Sequence, residues 1–350
     1  MIRALPLGLC TSAVWILAVS TAARAHHSFA ATFEAETVSE LEGEVMSVAW
    51  RNPHVLFTLR ATGADAQEVL YQIESHSLSI MRRMDISSDA LNVGDRIRVA
   101  GHPSRHDDNA MFVLNALLPG GQEIVFDPFG GPRWAENVGT TRVWQATEGE
   151  VPQDDNGIFR VWITSITHPN AWPFPEAFNL SLIDDYPLTG PARAAVDVFD
   201  PLTDLPTLDC VPKGMPTIME QPYPMEIVDN GDTILLRLEE YDTVRTIHMN
   251  ETAAPAGFPS SNLGYSTGRW QGNTLVVGTT NISWRFFDSV GIPLSEAVQI
   301  EERFTPSDDG SELDLVMTVT DPATFTAPVE VGKTWLAISG VQVEPYECTN

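Results

Sequence analysis

Two neighbouring histidines near the start of the chain, His26 and His27, carry the most specific chemistry in this sequence. They follow residues 23–25 (Ala-Arg-Ala), which have the small-x-small form after which signal peptidase cuts. Cleavage there would give His26 a free α-amine beside its imidazole, and these two nitrogens together chelate a metal ion. One further imidazole would complete a T-shaped set of three nitrogen donors, which suits copper.

The second imidazole of such a copper site must come from elsewhere in the chain. His54 is the predicted ligand, because the turn at Asn52-Pro53 would hold it rigidly at the start of a strand. Three alternatives lie in the same region: His76, His102 and His106. The competing interpretation is a plain N-terminal tail with surface histidines, since many exported proteins begin with a polar residue by chance.

A second set of reactive side chains lies on predicted strands in the C-terminal half. Alternate residues of a strand share a face, so charged residues there can point into the interior of a barrel. A buried carboxylate beside a histidine or an arginine could transfer protons in catalysis. The predicted catalytic residues are His248, Arg245, Glu240 and Arg269.

The same interior could instead bind a small molecule among charged and aromatic side chains. The predicted ligand-binding residues are Arg237, Glu239, Trp270, Trp284 and Phe287. Trp284 and Phe287 belong to an aromatic cluster between two predicted strands, for which packing in the core is the simpler interpretation. For any single charged pair, the simpler interpretation is an ion pair on the outside of the barrel, which contributes little to stability. In a regular strand, at least one of the consecutive residues Glu239 and Glu240 must face solvent.

The pattern of residues 26–126 predicts a small β domain that would carry the histidines. Three strands, one helix and two further strands are indicated, in this order: 38–50, 55–60, 68–74, the helix 77–84, 94–100 and 111–118. This is the order of the OB fold, a five-stranded barrel with its helix between the third and fourth strands. Residues 127–157 are rich in proline, glycine and acidic residues and are predicted to be a linker with one or two strands embedded in it.

Residues 158–350 predict a second barrel, which would carry the charged and aromatic residues. Eight or more strands follow one another with turn signals between them, the clearest being Asn230-Gly231. A meander this long tends to close because closure removes exposed edges, so a lipocalin-like antiparallel barrel is expected. A proline-rich excursion over 165–224 is long enough to be a lid, a brace or a binding element. A last strand is predicted at 341–344.

Composition and cysteine usage indicate an exported globular protein. The 350-residue chain carries a net charge of −27, which disfavours nucleic acid and anionic membranes as partners. With residues 1–25 removed as a signal peptide the protein would be periplasmic or secreted, and no later apolar run is long enough to span a membrane. Two cysteines would remain, Cys210 and Cys348. In an oxidising compartment they are predicted to form a disulfide, with two buried free thiols as the alternative.

Several segments resemble a large uncharacterised family of secreted bacterial proteins. They are residues 26–29 (His-His-Ser-Phe), 50–54 (Trp-Arg-Asn-Pro-His), 236–241, 244–249, 264–277 and 320–322. The resemblance implies an exported protein with an N-terminal domain of unknown function and a C-terminal lipocalin-like region, and it implies no reaction. The family usually has Glu and Asp where this chain has Gln271 and Asn273, so a role that needs those carboxylates is not expected here.

The sequence therefore favours an exported protein that binds a small, largely apolar molecule in its C-terminal barrel. Two hypotheses from other classes stay open: a cofactor-independent lyase, isomerase or hydrolase acting in the barrel, and a copper protein that uses His26. The sequence contains no nucleophile elbow, phosphate loop, Cys-x-x-Cys or His-Glu-x-x-His motif. The orientation of His248 tests the enzyme hypothesis, which requires this side chain to face the lumen beside a carboxylate.

Overall fold

The computed structural model describes residues 29–63, 67–127, 130–134, 138–140, 156–165 and 168–349. This part of the chain begins with a short helix, α1 (Phe29–Thr32), and then forms two closed β-barrels in succession. The predicted signal peptide, His26 and His27 lie outside the described residues.

The first barrel is built from five strands: β1 (Ser39–Ala49), β2 (Leu56–Thr62), β3 (Glu68–Glu74), β4 (Arg96–Pro103) and β5 (Ala110–Leu117). β1 pairs with both β2 and β4, and the barrel closes where β3 runs parallel to β5. Helix α2 (Leu78–Arg83) lies between β3 and β4, and the Ser77 side chain caps it by accepting a hydrogen bond from the Ile80 amide. The predicted OB-like barrel is confirmed.

Alternate residues of each strand point inward, and their side chains fill the first barrel. On β2, the side chains of Phe57, Leu59 and Ala61 point inward and are buried, whereas most of the residues between them are partly exposed. These inward residues join a core that includes Val45 of β1 and Ile73 of β3.

Two short strands extend the sheet of the first barrel beyond β5. β6 (Glu123–Val125) pairs antiparallel with β5, and β7 (Val138–Thr140) runs parallel to β6. Regular structure therefore reaches into the segment 127–157, which is predicted to be a linker.

The second barrel has nine strands: β8 (Val161–Thr164), β9 (Met225–Asp229), β10 (Thr233–Leu238), β11 (Thr243–His248), β12 (Tyr265–Gln271), β13 (Thr274–Thr280), β14 (Gln299–Pro306), β15 (Glu312–Thr320) and β16 (Val329–Leu336). From β9 to β16 each strand pairs with the next, and β8 closes the barrel between β16 and β9. The pairings are antiparallel except for a short parallel contact between β11 and β12. The predicted lipocalin-like barrel is confirmed as a closed and mainly antiparallel barrel.

The predicted hairpin at Asn230-Gly231 connects β9 to β10. Gly231 has a φ of +76°, a value that an L-residue with a side chain rarely adopts, so glycine favours this tight turn.

The excursion between β8 and β9 packs onto the second barrel. It contains helix α3 (Gly190–Val196) and four 3-10 helices (Pro175–Ala177, Leu180–Asp185, Pro206–Asp209 and Thr217–Glu220), and a fifth 3-10 turn, Glu240–Asp242, follows β10. Its residues Met215, Ile218 and Met219 are fully buried in the core of this barrel. The excursion therefore acts as a brace. None of the helices in the described part of the chain is long and apolar enough to cross a membrane.

The segment after β16 runs back to the first barrel and does not form the predicted strand at 341–344. Two of its backbone amides donate hydrogen bonds to side-chain carboxylates instead of to a neighbouring strand. The Glu344 amide donates to a Glu239 carboxylate oxygen at 3.0 Å, and the Tyr346 amide donates to Asp242 Oδ1 at 3.0 Å. The prediction of a strand at 341–344 was wrong because the residue pattern of a strand does not show that side-chain carboxylates accept these hydrogen bonds.

This C-terminal segment ties the two barrels together. Tyr346 is buried in the core of the first barrel, and its carbonyl accepts a hydrogen bond from the Asn52 side chain. Cys348 forms the predicted disulfide with Cys210 of the excursion.

Candidate functional site

A groove of about 600 Å³ lies beside the strands of the second barrel. One side is formed by the end of α3 and the turn that follows it, and the other by the loop 282–296, which connects β13 to β14. Its volume falls within the range of about 300–1,000 Å³ that is usual for small-molecule sites.

Three aromatic rings form the walls of the groove. The ring of Phe286 contacts Trp284 at a centroid distance of 5.8 Å and Phe199 at 5.6 Å, in both cases edge to face. The Trp284 indole is fixed in turn, because its Nε1 donates a hydrogen bond of 2.7 Å to the Thr217 hydroxyl. The Thr217 hydroxyl itself donates to the Phe286 carbonyl at 2.9 Å. The excursion therefore holds this aromatic wall in one geometry.

Two glycines allow the aromatic side chains to lie where they do. Gly291 has a φ of +97°, and a Cβ atom there would be 2.2 Å from Cγ of Phe199. A Cβ atom on Gly214 would be 2.4 Å from Cβ of Trp284 and 2.4 Å from the Asn262 carbonyl oxygen. A side chain at Gly291 would displace Phe199, and one at Gly214 would displace Trp284. The close packing of these aromatic residues therefore requires glycine at both positions.

The rest of the lining is mostly apolar and the charges lie at the rim. Apolar surface comes from five residues: Ala195, Val198, Ile282, Pro293 and Leu294. Arg285, Asp204 and Glu296 contribute exposed charges. An apolar interior with a few polar groups at its edge is the usual composition of a small-molecule site.

The predicted ligand-binding residues fall in different places. Trp284 lines the groove, whereas Phe287 does not line it and is fully buried, with its ring 4.9 Å from that of Phe174. Arg237 and Trp270 are exposed on the outside of the barrel. Of the five, the structure therefore places only Trp284 at the groove. Glu239 is buried where the two barrels meet, accepting two hydrogen bonds from Arg83.

The predicted catalytic residues lie on opposite faces of the barrel wall. Arg245 points into the lumen, where it forms a fully buried, bidentate ion pair with Glu302. His248 lies on the outer face, stacked on Tyr265 at 4.4 Å, with its Nδ1 3.9 Å from a Glu251 carboxylate oxygen.

The remaining two predicted catalytic residues are also separated from each other. Arg269 is exposed on the outer face, 3.7 Å from a Glu301 carboxylate oxygen, whereas Glu240 is buried 3.1 Å from the Lys213 ammonium. Strand alternation explains the division along β11, because Arg245 and His248 are an odd number of residues apart and so face opposite sides. The structure does not assemble the four residues into one site.

Both Glu239 and Glu240 are buried, although a regular strand would expose one of them. β10 ends at Leu238, and the next residues form a turn in which Tyr241 has a left-handed φ of 56°. This turn breaks the alternation and directs both carboxylates inward. The expectation that one of them faces solvent was wrong because it assumed that the strand continues.

A buried acidic pair near the groove was missed from the sequence. Glu176 of the excursion and Asp288 of the loop 282–296 have no solvent exposure, and their carboxyl groups lie close enough for the charge of Asp288 to raise the pKa of Glu176. Tyr186 also donates to Glu176 at 3.0 Å. No spacing in the sequence relates these residues, because only the packing of the excursion onto the barrel brings them together.

A buried lysine inside the barrel was missed as well. Lys333 of β16 donates to the carbonyl oxygens of Met219, Glu220 and Gln221 at 3.1, 3.3 and 2.6 Å. Burial lowers its pKa to about 7. The lysine fastens the excursion to the barrel and occupies lumen space together with the Arg245 pair.

The histidines of the first barrel are grouped at one of its ends. His54 and His76 lie beside the paired ends of β2 and β3, and His102 and His106 lie near α1. Within the described ranges, no three His, Cys, Asp or Glu side chains lie close enough together to hold a metal ion.

Comparison with known proteins adds one relationship. Residues 13–112 match the model of a family of unknown function, DUF6152. The match covers most of the first barrel and agrees with the resemblance of the N-terminal half to a domain of unknown function. It does not extend to the second barrel or the groove, so the lipocalin-like part of that resemblance stays a prediction. No curated protein matches the chain.

Proposed function

We propose that this is an exported protein that binds a small, largely apolar molecule in the groove beside its second barrel. The observation that carries the proposal is the aromatic wall of Trp284, Phe286 and Phe199, which borders a groove of about 600 Å³ and is held in place by packing and hydrogen bonds.

A preformed wall favours binding because little conformational entropy is lost when the ligand arrives. Each CH₂ group of a ligand that moves from water into the groove contributes about 0.8 kcal/mol. Alkyl and aromatic groups are therefore preferred in the interior, while one polar or anionic group of the ligand can reach Arg285 at the rim.

The groove can be tested by filling it. Ala195 and Ala194 are neighbours on α3, but only Ala195 lines the groove, whereas Ala194 faces solvent. Ala195→Trp should block the site and Ala194→Trp should leave it open, so the two variants are matched in size and position.

Binding can be followed with the fluorescent probe anilinonaphthalene sulfonate, which joins an aromatic body to one anionic group. We expect saturable binding at one site in the wild-type protein and in Ala194→Trp, and at least tenfold weaker binding in Ala195→Trp. Equal binding by both variants, or no saturable binding to the wild type, would refute the proposal.

A further inference from the structure

Among the described residues that line the groove, Arg285 is the one with a positive charge. It lies between Trp284 and Phe286 of the aromatic wall, and its side chain is exposed at the rim. Its backbone is held in place, because the Leu294 amide donates to the Arg285 carbonyl at 2.7 Å across the loop 282–296. No described residue forms a hydrogen bond or an ion pair with its guanidinium group. This group is therefore available to a ligand.

The unpaired state of Arg285 sets it apart from its counterparts. Every other arginine or lysine that the structure describes from residue 156 onwards has a hydrogen-bond or ion-pair partner. On the outer face, for example, Arg237 pairs with Glu226 and Arg269 with Glu301. The chain has 47 acidic and 20 basic residues, so acidic partners are plentiful. The unpaired guanidinium group therefore lies at the groove, although most of the surface would offer it a carboxylate.

The acidic residues at the rim do not occupy Arg285. The Asp204 carboxylate closes its own turn, because it accepts hydrogen bonds from the Asp200 amide at 2.9 Å and from the Thr203 hydroxyl at 3.1 Å. Glu296 is exposed and forms no ion pair with any described residue, Arg285 included. An anionic ligand at Arg285 therefore does not have to displace a carboxylate of the protein.

The chemistry of the guanidinium group indicates what it would bind. Its paired N–H donors match the two oxygens of a carboxylate, and they also bind other oxyanions. An apolar body that contacts Trp284 and Phe286 would bring an attached oxyanion to the residue between them. The same apolar body would exclude water from one side of the ion pair, which makes the interaction stronger than in an ordinary surface pair.

We infer that the ligand of this groove is an amphipathic anion, with an alkyl or aromatic body and one carboxylate or other oxyanion that Arg285 binds. The inference rests on the proposed function and adds to it the chemical class of the ligand. Arg285 is then the residue that determines specificity, whereas the aromatic wall contributes affinity for any apolar body of suitable size.

The test compares two fluorescent probes that share one aromatic body. Anilinonaphthalene sulfonate carries a negative charge, and phenylnaphthylamine is the same molecule without the sulfonate group. The probes also differ in solubility, so the informative quantity is the change in the ratio of their dissociation constants when Arg285 is replaced. Fluorescence titrations at constant pH and ionic strength measure both constants for the full-length protein and its variants.

Arg285→Gln should weaken binding of the anionic probe by about three- to tenfold, because the ion pair is lost. Binding of the neutral probe should change less than about twofold, because the aromatic wall is intact. Arg303→Gln removes the same charge from a partly exposed position of β14 that does not line the groove. This control should change neither dissociation constant.

The inference and the proposed function can fail separately. If both probes bind in the groove, as shown by their loss in Ala195→Trp, but Arg285→Gln affects the two equally or not at all, the anionic class is wrong and the groove remains a binding site. Tighter binding of the anionic probe to Arg285→Gln would also overturn the inference. If neither probe binds the wild type saturably, the proposed function fails, and the inference fails with it.

Discussion

Glu176 and Asp288 are two fully buried carboxyl groups that lie next to each other in the interior of the second barrel and its brace. Burial and the charge of Asp288 raise the pKa of Glu176 to about 9, and burial raises the pKa of Asp288 to about 7. Two adjacent carboxylates cannot both be ionised without a large cost, so the pair keeps a proton at neutral pH. The excursion therefore docks through a contact that depends on this proton.

Because the folded protein retains this proton, its free energy of unfolding should depend on pH. The unfolded chain releases it near the ordinary glutamate pKa of 4.5, whereas the folded protein keeps it up to about pH 9. The free energy of unfolding should therefore fall as pH rises between these values, by up to about 1.4 kcal/mol per pH unit for one proton. Urea unfolding at pH 5, 7 and 9 measures this dependence.

Glu176→Gln removes the titrating carboxyl group with the larger pKa shift and keeps a side chain of similar size, so the free energy of unfolding should decline less steeply with pH in this variant. Glu330→Gln makes the same charge change at an exposed position of β16 and should keep the wild-type slope. Equal slopes in all three proteins would show that the pair does not hold the proton.

The ion pair between Arg245 and Glu302 predicts a large loss of stability when one partner is removed. Both side chains are fully buried, and Arg245 also donates to the hydroxyls of Ser266 and Thr279 at 3.1 and 2.8 Å. Glu302→Ala leaves an uncompensated buried charge and should cost about 3–5 kcal/mol in chemical unfolding.

The exposed pair of Glu226 and Arg237, which joins neighbouring strands on the outer face, is the matched control. Glu226→Ala should cost less than about 1 kcal/mol because solvent screens the interaction. A similar loss in Glu302→Ala and Glu226→Ala would contradict the assignment of the buried pair as a structural element of the lumen.

The disulfide predicts a loss of stability without a loss of binding. Cys210 and Cys348 are 138 residues apart in sequence, so the crosslink restricts the unfolded chain strongly. Cys210→Ser should lower the free energy of unfolding by about 2–5 kcal/mol and leave probe binding in the groove unchanged. Reduction of the wild type should have the same effect, and an unchanged melting temperature in both cases would refute this role of the disulfide.

Most of the architecture was predictable because it follows from local patterns. The alternation on β2, the Ser77 cap of α2 and the Asn230-Gly231 turn each act within a few residues, and these signals indicated both barrels. The prediction at 341–344 was wrong because carboxylates of Glu239 and Asp242 bind the backbone there, and no local pattern records them.

The candidate site was less predictable because tertiary packing assembles it. Trp284 was predicted as a ligand-binding residue from its aromatic cluster, but its partner Thr217 comes from the excursion. The orientation of His248 depended on the strand register and could not be read from composition. Glu239 and Glu240 show the same limit, since β10 ends at Leu238 and the turn that follows it places both side chains in the interior.

Native mass spectrometry of the protein exported by a bacterial host is the most direct test of ligand binding in the groove, because it detects a bound molecule by its mass, whatever the chemical identity of that molecule. We expect an organic adduct on the wild type and on Ala194→Trp that is missing from Ala195→Trp. An adduct retained by Ala195→Trp, or a wild type that carries none and also fails to take up the fluorescent probe, would contradict this expectation.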